Sequence, residues 1–572
     1  MNPFRTYLLI FFMSLSAVVQ AQELPIELTE AERSLEYRPA NAVGFTTPPA
    51  SSVRTPAEWE EIDGLCVRWE GTWSRSVLRN IVKEAKEQCT VYIATQNQNS
   101  VISHLNSYGI DQNNIVFVNE QTNSIWFRDY GQWNVYTNDV DSLLWVDWIY
   151  NRPRPYDDAL PVDLASLLDI PLYQTYNAPY DLVNTGGNFM VDGFGTAFAS
   201  ELIIEENDGT GYGISNHSEG AINQIMDQFM GIDRYIKMPT LPYDGIHHID
   251  MHMKLLDEET LLVGQYPNGV ADGPQIESNL NYVLNNFNSV FGTAYKVIRI
   301  PMPPEGGQYP NQNGDYRTYT NSVFVNKTIL VPTYEQQWDT TALRIYREAL
   351  PGYKVVGIDC NEIITASGAI HCITKEVSSS DPLLISHQPL HDVTFSQVDH
   401  EVNALIKHAD GIDNASVFWS VDTAAGYNSV SMSLTDPVND IWTGQIPYQQ
   451  AGETVFYHIH AEANNGKQQV RPITAPQGFW KFRVLQNITG IVDADVQISV
   501  YPNPSSAIFR VNTGIAKNVS YSVLNMKGEL IRSGQSQNGM IDLDLSDKAS
   551  GLYALQLNWN GGIRTMRLNR IE

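Results

Sequence analysis

A cysteine, a histidine, two aspartates and an asparagine stand far apart in this sequence, each inside a short motif rich in aromatic, glycine or apolar residues. Asp129 lies in IWFRDYGQW, His248 and Asp250 in HHIDMH, Asn321 in TYTNSVF and Cys372 in ASGAIHCITKE. A thiolate attacks electron-poor carbon once cationic neighbours or a helix N-terminus lower its pKa from about 8.5. A histidine can protonate a leaving group and then activate water. Two carboxylates on one site repel each other unless a cation lies between them. A guanidinium is such a cation: it is planar, carries five N–H donors, and its central carbon is electrophilic. Together these residues suit a hydrolase acting on guanidines.

Each residue also has a plainer reading. Cys372 could be a buried structural thiol. Asp129 could pair with its neighbour Arg128. His248, Asp250 and His252 alternate as on one strand face and could bind zinc. His371, adjacent to Cys372 on a presumed strand, is expected to face the other way and to be structural. Asn188 in TGGNFM is expected in a tight turn and is not counted among the catalytic residues.

Elements that could gather these side chains recur along the chain: a hairpin, an amphipathic helix, then a strand. The clearest copy covers 321–358. NSVFVNKTILVP gives two strands around Asn326-Lys327; Asp339 is a candidate N-cap for a helix with Leu343, Tyr346 and Leu350 on one face; YKVVGI returns as a strand. Further copies begin at HIDMHMKLLDEETLLVGQY, at GGNFMVDGFGTAFASELII and at QWNVYTNDVDSLLWVDW. A partial one spans DGLCVRW to TVYIAT, and the strand around Cys372 would complete it. Five units closing on themselves predict an α/β ring of pseudo-fivefold symmetry, with equivalent strand ends meeting at one axis. Asp129, Asn188, His248, Asn321 and Cys372 each fall at such an end.

Composition limits the alternatives. Hydrophobic residues make up 43% of 572 positions, which supports packed domains over disorder. A net charge of −28 excludes a nucleic-acid binder, because no basic surplus is present to displace counterions. Residues 1–21 read as a signal peptide, with Arg5, the run YLLIFFMSLSAVV and a small-residue cleavage site. The expected organisation is an N-terminal segment or linker over 22–52, an α/β domain over 53–380, a β-sandwich over 381–486, a linker over 487–497 and a small β domain over 498–572. Four cysteines in a chain of this length form no disulfide framework; with Cys372 as a working thiol, at most one bridge is left.

With TPAEWEEIDGLCVRW, WFRDYG, GGNFMVDGFGTAF, HIDM, YTNSVFVNKTILVP and GAIHCIT in order, residues 54–376 resemble the agmatine deiminase and bacterial peptidylarginine deiminase family, within the guanidino-modifying superfamily of five-bladed α/β propellers (penteins). The resemblance implies Cys372 as nucleophile, His248 as general acid and base, Asp129 and Asp250 as guanidinium ligands, and Asn321 and Trp126 as pocket residues, with no cofactor or metal. In IYNRPRPYDD, Arg152 and Arg154 correspond to arginines that hold the carboxylate of a C-terminal arginine in the bacterial peptidylarginine enzymes. The expected activity is therefore conversion of peptide arginine to citrulline with release of ammonia, on arginine-containing peptides or proteins. Agmatine or another small guanidine is the alternative substrate, and a non-catalytic surface binding protein the alternative role. The 381–486 region is expected to be immunoglobulin-like without its disulfide. YPNPSS and GGIRTMRLNRIE resemble the C-terminal sorting domain of type IX secretion cargo, which implies that machinery as a partner and a secreted or outer-membrane-surface location.

Overall fold

The structure, a computed structural model, describes residues 24–35, 41–486, 498–513, 519–536, 539–559 and 562–571. The expected signal peptide and the 487–497 linker lie outside these residues. Among them no helix is long and apolar enough to cross a membrane. They divide into two compact units. One takes in residues to His391 with Val398–Tyr448 and Thr454–Phe482; the other takes in Asp392–Gln397, Gln449–Glu453 and the chain from Arg483.

Five small sheets of related design, with a two-stranded pair of Ile149–Tyr150 and Val183–Asn184 beside them, build residues 53–380 of the first unit. In four of them an antiparallel hairpin is followed by a helix and then by a strand parallel to the hairpin's second arm. These are Trp133–Thr137, Leu143–Asp147 and Leu172–Gln174; Met190–Val191, Thr196–Ser200 and Arg234–Met238; Met253–Asp257, Thr260–Gln265 and Lys296–Pro301; and Val323–Val325, Thr328–Thr333 and Lys354–Asp359. The remaining sheet is assembled from both ends of this region. Ile62–Arg68 and Thr90–Ala94 run parallel, and Thr374–Ser378 pairs antiparallel with Ile62–Arg68, Thr374 opposite Val67 and Glu376 opposite Leu65.

The connecting helices form for local reasons. Glu219–Met230 starts at Ser218, whose side chain accepts from the Ala221 amide at 3.3 Å, and buries Ile222, Ile225, Met226 and Phe229 at helical spacing. Loss of that cap costs about 1 kcal/mol. Pro155 opens Pro155–Leu168 with its φ already helical, directly after Arg154. In the 336–349 helix the N-cap is Glu335, not Asp339 as the sequence pattern suggested. Asp339 lies inside the helix and accepts from the Tyr334 amide and the Tyr319 hydroxyl, both at 2.8 Å, so it is drawn back to the preceding loop.

Within the same unit follow two antiparallel sheets. His400–Lys407 and Ile441–Ile446 are central to one, Ile412–Ser420 and Thr454–Ala463 to the other. Alternate residues such as Val402, Ala404, Val417, Tyr457 and Ile459 are buried, and a side chain at Gly444 would meet Val417 across the gap, so the inner faces pack together. In the second unit, Phe509, Val511, Ile541, Leu543, Leu555 and Leu557 alternate inward on short antiparallel strands around a separate core.

Candidate active site

Four helical turns and one loop bring the sequence-predicted residues together. Asp129 sits in the helical turn Phe127–Tyr130 ahead of Trp133–Thr137, and Asn188 in Gly186–Asn188 ahead of Met190. His248 caps Ile249–Met251 ahead of Met253, Asn321 precedes Val323, and Cys372 lies in His371–Ile373 ahead of Thr374. Cys372 is therefore on a tight turn before the strand rather than within it.

Asn321 organises the cysteine side. Its Nδ2 donates to Cys372 Sγ at 3.1 Å and to Asp250 Oδ2 at 2.9 Å, while its Oδ1 accepts from the His371 amide at 3.0 Å. Cys372 Sγ lies 3.8 Å from Asp250 Oδ2. On the other side His248 Nδ1 is 3.7 Å from Asp129 Oδ1, and His248 Nε2 is 3.5 Å from Thr185 Oγ1. Backbone packs tightly between these groups: a Cβ at Gly187 would lie 2.4 Å from His248 Nδ1 and 3.2 Å from Asp129 Oδ1. A Cβ at Gly368 would lie 2.4 Å from the Trp126 ring and 3.1 Å from Cys372 Cβ, which places the indole beside the thiol. Asn188 exchanges hydrogen bonds with the Ser200 backbone and holds its turn to the adjacent strand.

Three polar atoms in this cluster are buried with no hydrogen-bond partner: Asp129 Oδ1, Asp250 Oδ1 and His248 Nδ1. Unpaired buried polar atoms are costly, and a donor-rich ligand would satisfy the two carboxylate oxygens. The electrostatics agree. Burial pushes the Cys372 thiol well above its usual range, and the nearby Asp250 and Asp129 carboxylates push it further. Burial lifts Asp129 to about 7, with Arg152 opposing and Asp250 adding to the rise. Burial lowers His248 to about 3, so its imidazole is neutral. A planar cation between the carboxylates would reverse the first two effects, ionising Asp129 and easing ionisation of the thiol.

Two further residues complete the arrangement: the buried His371, expected from the sequence to be structural, and the partly buried Glu58, which the sequence reading does not single out. His371 Nδ1 meets Asp250 Oδ2 at 2.7 Å and its Nε2 meets Glu58 Oε1 at 2.7 Å; Glu58 Oε2 accepts from Lys254 Nζ at 2.6 Å. The expectation that His371 faces away fails because period-two alternation does not hold in a helical turn. Arg128 pairs not with Asp129 but with Glu376, through Nη1 at 3.1 Å and Nη2 at 2.8 Å. All four cysteines are free and buried. Among the described residues no three His, Cys, Asp or Glu side chains converge to hold a metal ion.

Arg152 and Arg154 are buried near this cluster, but their hydrogen bonds run elsewhere. Part of the segment expected to be a linker packs against them. Trp126 Nε1 donates to the Leu24 carbonyl at 2.8 Å, Arg152 Nε to Ile26 at 2.9 Å, and Arg154 Nη2 to Pro25 at 2.7 Å. Glu32 accepts from Arg154 Nε at 2.7 Å and from Nη2 at 3.3 Å.

Residues 499–568 match a family model for a secretion-system C-terminal sorting domain, and such a domain indicates type IX secretion to the cell surface or exterior. Over 58% of its length the chain is 23% identical to a provisionally named agmatine deiminase of Vibrio parahaemolyticus, 98% of which is covered. A crystal structure of an arginine deiminase assignment from Porphyromonas gingivalis superposes with a TM-score of 0.50 at 17% identity, over 57% of this chain and 99% of that one. The agmatine deiminase of Enterococcus faecalis superposes with a TM-score of 0.50 at 20% identity, over 60% of this chain and all of that one. Residues 54–377, more than half the chain and all five of these segments, match the family model for Porphyromonas-type peptidyl-arginine deiminase, and the chain belongs to that family.

Proposed function

We propose that the protein is an exported peptidylarginine deiminase that converts arginine, in the first place a C-terminal arginine, to citrulline. The observation that carries this reading is the set of unpartnered polar atoms, Asp129 Oδ1, Asp250 Oδ1 and His248 Nδ1, in the cluster that holds the buried Cys372 thiol. Asp129 and Asp250 take the guanidinium N–H groups, and the bound cation favours the thiolate. Sulfur attacks the central carbon and forms a C–S bond. The proton released from the thiol passes to His248, which delivers it to the departing nitrogen, so that ammonia leaves and an S-alkyl thiouronium remains. His248 then takes a proton from water as its oxygen adds to the same carbon. The C–S bond breaks as the added hydroxyl passes its proton to the departing sulfur, so the thiol is regenerated, the ureido group of citrulline leaves and His248 returns its proton to solvent. Asn321, bonded to both Cys372 and Asp250, keeps nucleophile and cation site in register.

The five sheets are read as the blades of a propeller around this cluster, because each functional segment opens a different sheet. The 381–486 region is read as an immunoglobulin-like sandwich. Two curated relatives that match this chain are provisionally named agmatine deiminases, which favours a small guanidine as the second reading. Arg152 and Arg154 favour the peptide, because agmatine has no carboxylate to pair with them.

Citrulline formation from agmatine, free arginine and peptides with internal or terminal arginine tests both readings. Release from terminal-arginine peptides that disappears in Cys372→Ala supports the proposal. Full activity in that variant refutes the mechanism, and a higher kcat/KM for agmatine refutes the substrate.

A further inference from the structure

Residues Leu24–Glu32 make contacts that a ligand would make. Three successive carbonyls, of Leu24, Pro25 and Ile26, accept from Trp126 Nε1, Arg154 Nη2 and Arg152 Nε. The Glu27 carbonyl also accepts from Arg154 Nη2, at 3.2 Å. In return the Ile26 amide donates to the Ala366 carbonyl at 3.3 Å, and Ser367 Oγ donates to Glu27 Oε1 at 3.2 Å. Ile26 is fully buried, and Glu27 packs against Gly245. The loops touched are those that carry the chemistry: Trp126 leads to Asp129, Gly245 to His248, and Ala366–Ser367 to Cys372.

The carboxylate is presented with equal definition. Glu32 belongs to a single capped turn, Glu30–Arg33, in which the Thr29 amide and hydroxyl donate to Glu32 Oε2 at 2.8 and 2.9 Å. The same carboxylate takes Nε and Nη2 of Arg154. Burial works against its ionised form, and the Arg154 and Thr29 hydrogen bonds overcome that and hold it below the ordinary range. The fit is incomplete: Arg154 Nη1 is buried and has no hydrogen-bond partner, which keeps the segment exchangeable for a ligand that uses all of the guanidinium.

We propose that Trp126, Arg152, Arg154 and the Ala366–Ser367 loop form a cleft that binds extended peptide by its main-chain carbonyls and one carboxylate, and that Leu24–Glu32 is its resident ligand, holding the full chain latent until displaced. Only the latency rests on the deiminase reading; the cleft and its occupant are defined by the contacts themselves. Displacement, by proteolytic removal of the segment or by competition from an incoming peptide, frees both arginines together.

Full-length chains carrying Glu32→Ala or Ile26→Asp test this against the native chain. Each substitution weakens the segment without touching the pocket, so kcat/KM for terminal-arginine peptides should rise by about tenfold or more, because apparent affinity scales with the fraction of open protein. A second measurement is independent of turnover: a labelled synthetic peptide of residues 24–35 should bind Ile26→Asp by fluorescence anisotropy, bind native protein far more weakly, and lose affinity when its own glutamate at position 32 is alanine. Equal kcat/KM in all three chains together with no peptide binding overturns the inference while leaving the deiminase reading intact. Peptide binding with no citrulline from any guanidine upholds the cleft and overturns the deiminase reading.

Discussion

His371 and Asp250 share a buried contact of 2.7 Å, Nδ1 to Oδ2, while the far side of the same imidazole rests on Glu58. Asp250 is thus held by a relay whose other end is anchored by Lys254, and its free oxygen, Oδ1, is left for a ligand. Replacing His371 by Ala should leave Asp250 free to rotate. A lost hydrogen bond to a charged group amounts to about 1.5–3 kcal/mol, so KM for guanidines should rise by about tenfold to a hundredfold. The fall in kcat should be smaller, and Glu58→Gln should follow the same direction. A variant that lowers kcat alone, at unchanged KM, would contradict a positioning role.

Asp129 sets an acid limit. Burial lifts it to about 7, and only its carboxylate accepts guanidinium N–H groups, so KM should climb by about tenfold per pH unit below that value. The sign for stability is opposite. Because the folded value exceeds the ordinary 3.8, the group favours the folded state most at acid pH, and this contribution is lost as pH rises through about 7. Thermal unfolding of Cys372→Ala with and without agmatine measures this: the ligand's stabilisation should be larger at pH 8 than at pH 5. A ligand effect that does not vary over that range argues against a charged Asp129 in the complex.

Arg154→Ala separates substrate classes. Loss of a charge-assisted bidentate contact should lower kcat/KM for terminal-arginine peptides by about tenfold to a hundredfold. Agmatine should lose nothing, and it gains if the Leu24–Glu32 segment is loosened at the same time. Parallel losses on both substrates would place Arg154 in a purely structural role.

Gly187→Ala tests how tightly the backbone passes the imidazole. The added methyl would sit 2.4 Å from His248 Nδ1. A displacement of about 1 Å at a reacting group costs on the order of a hundredfold in rate. Citrulline formation should therefore fall by that order while circular dichroism and melting temperature stay near native values. Retained activity would mean that His248 has room to shift and that its position is not critical.

Much of this was legible in the residues. The hairpin–helix–strand unit shows because period-two and period-3.6 patterns alternate along 60–360, and the distances among Asn321, Asp250 and Cys372 follow from each residue opening a unit. Three features were hidden. Asp339 has the chemistry of a cap, but a tertiary contact to Tyr319 draws it elsewhere. His371 is hidden because the apolar run HCIT reads as strand, whereas the three residues His371–Ile373 form a turn ahead of it. Leu24–Glu32 is polar enough to pass for a linker; its anchoring depends on main-chain carbonyls, which every sequence has and no sequence advertises.

The strand Thr374–Ser378 has a temporal consequence. Its partner, Ile62–Arg68, is made early and must wait some three hundred residues for it, and the nucleophile sits only two positions ahead of that strand. A chain still being synthesised or threaded across a membrane carries every other member of the cluster before it can seat the thiol. Chemistry should therefore begin in one event, when the last strand docks, and no shorter fragment should possess a fraction of it.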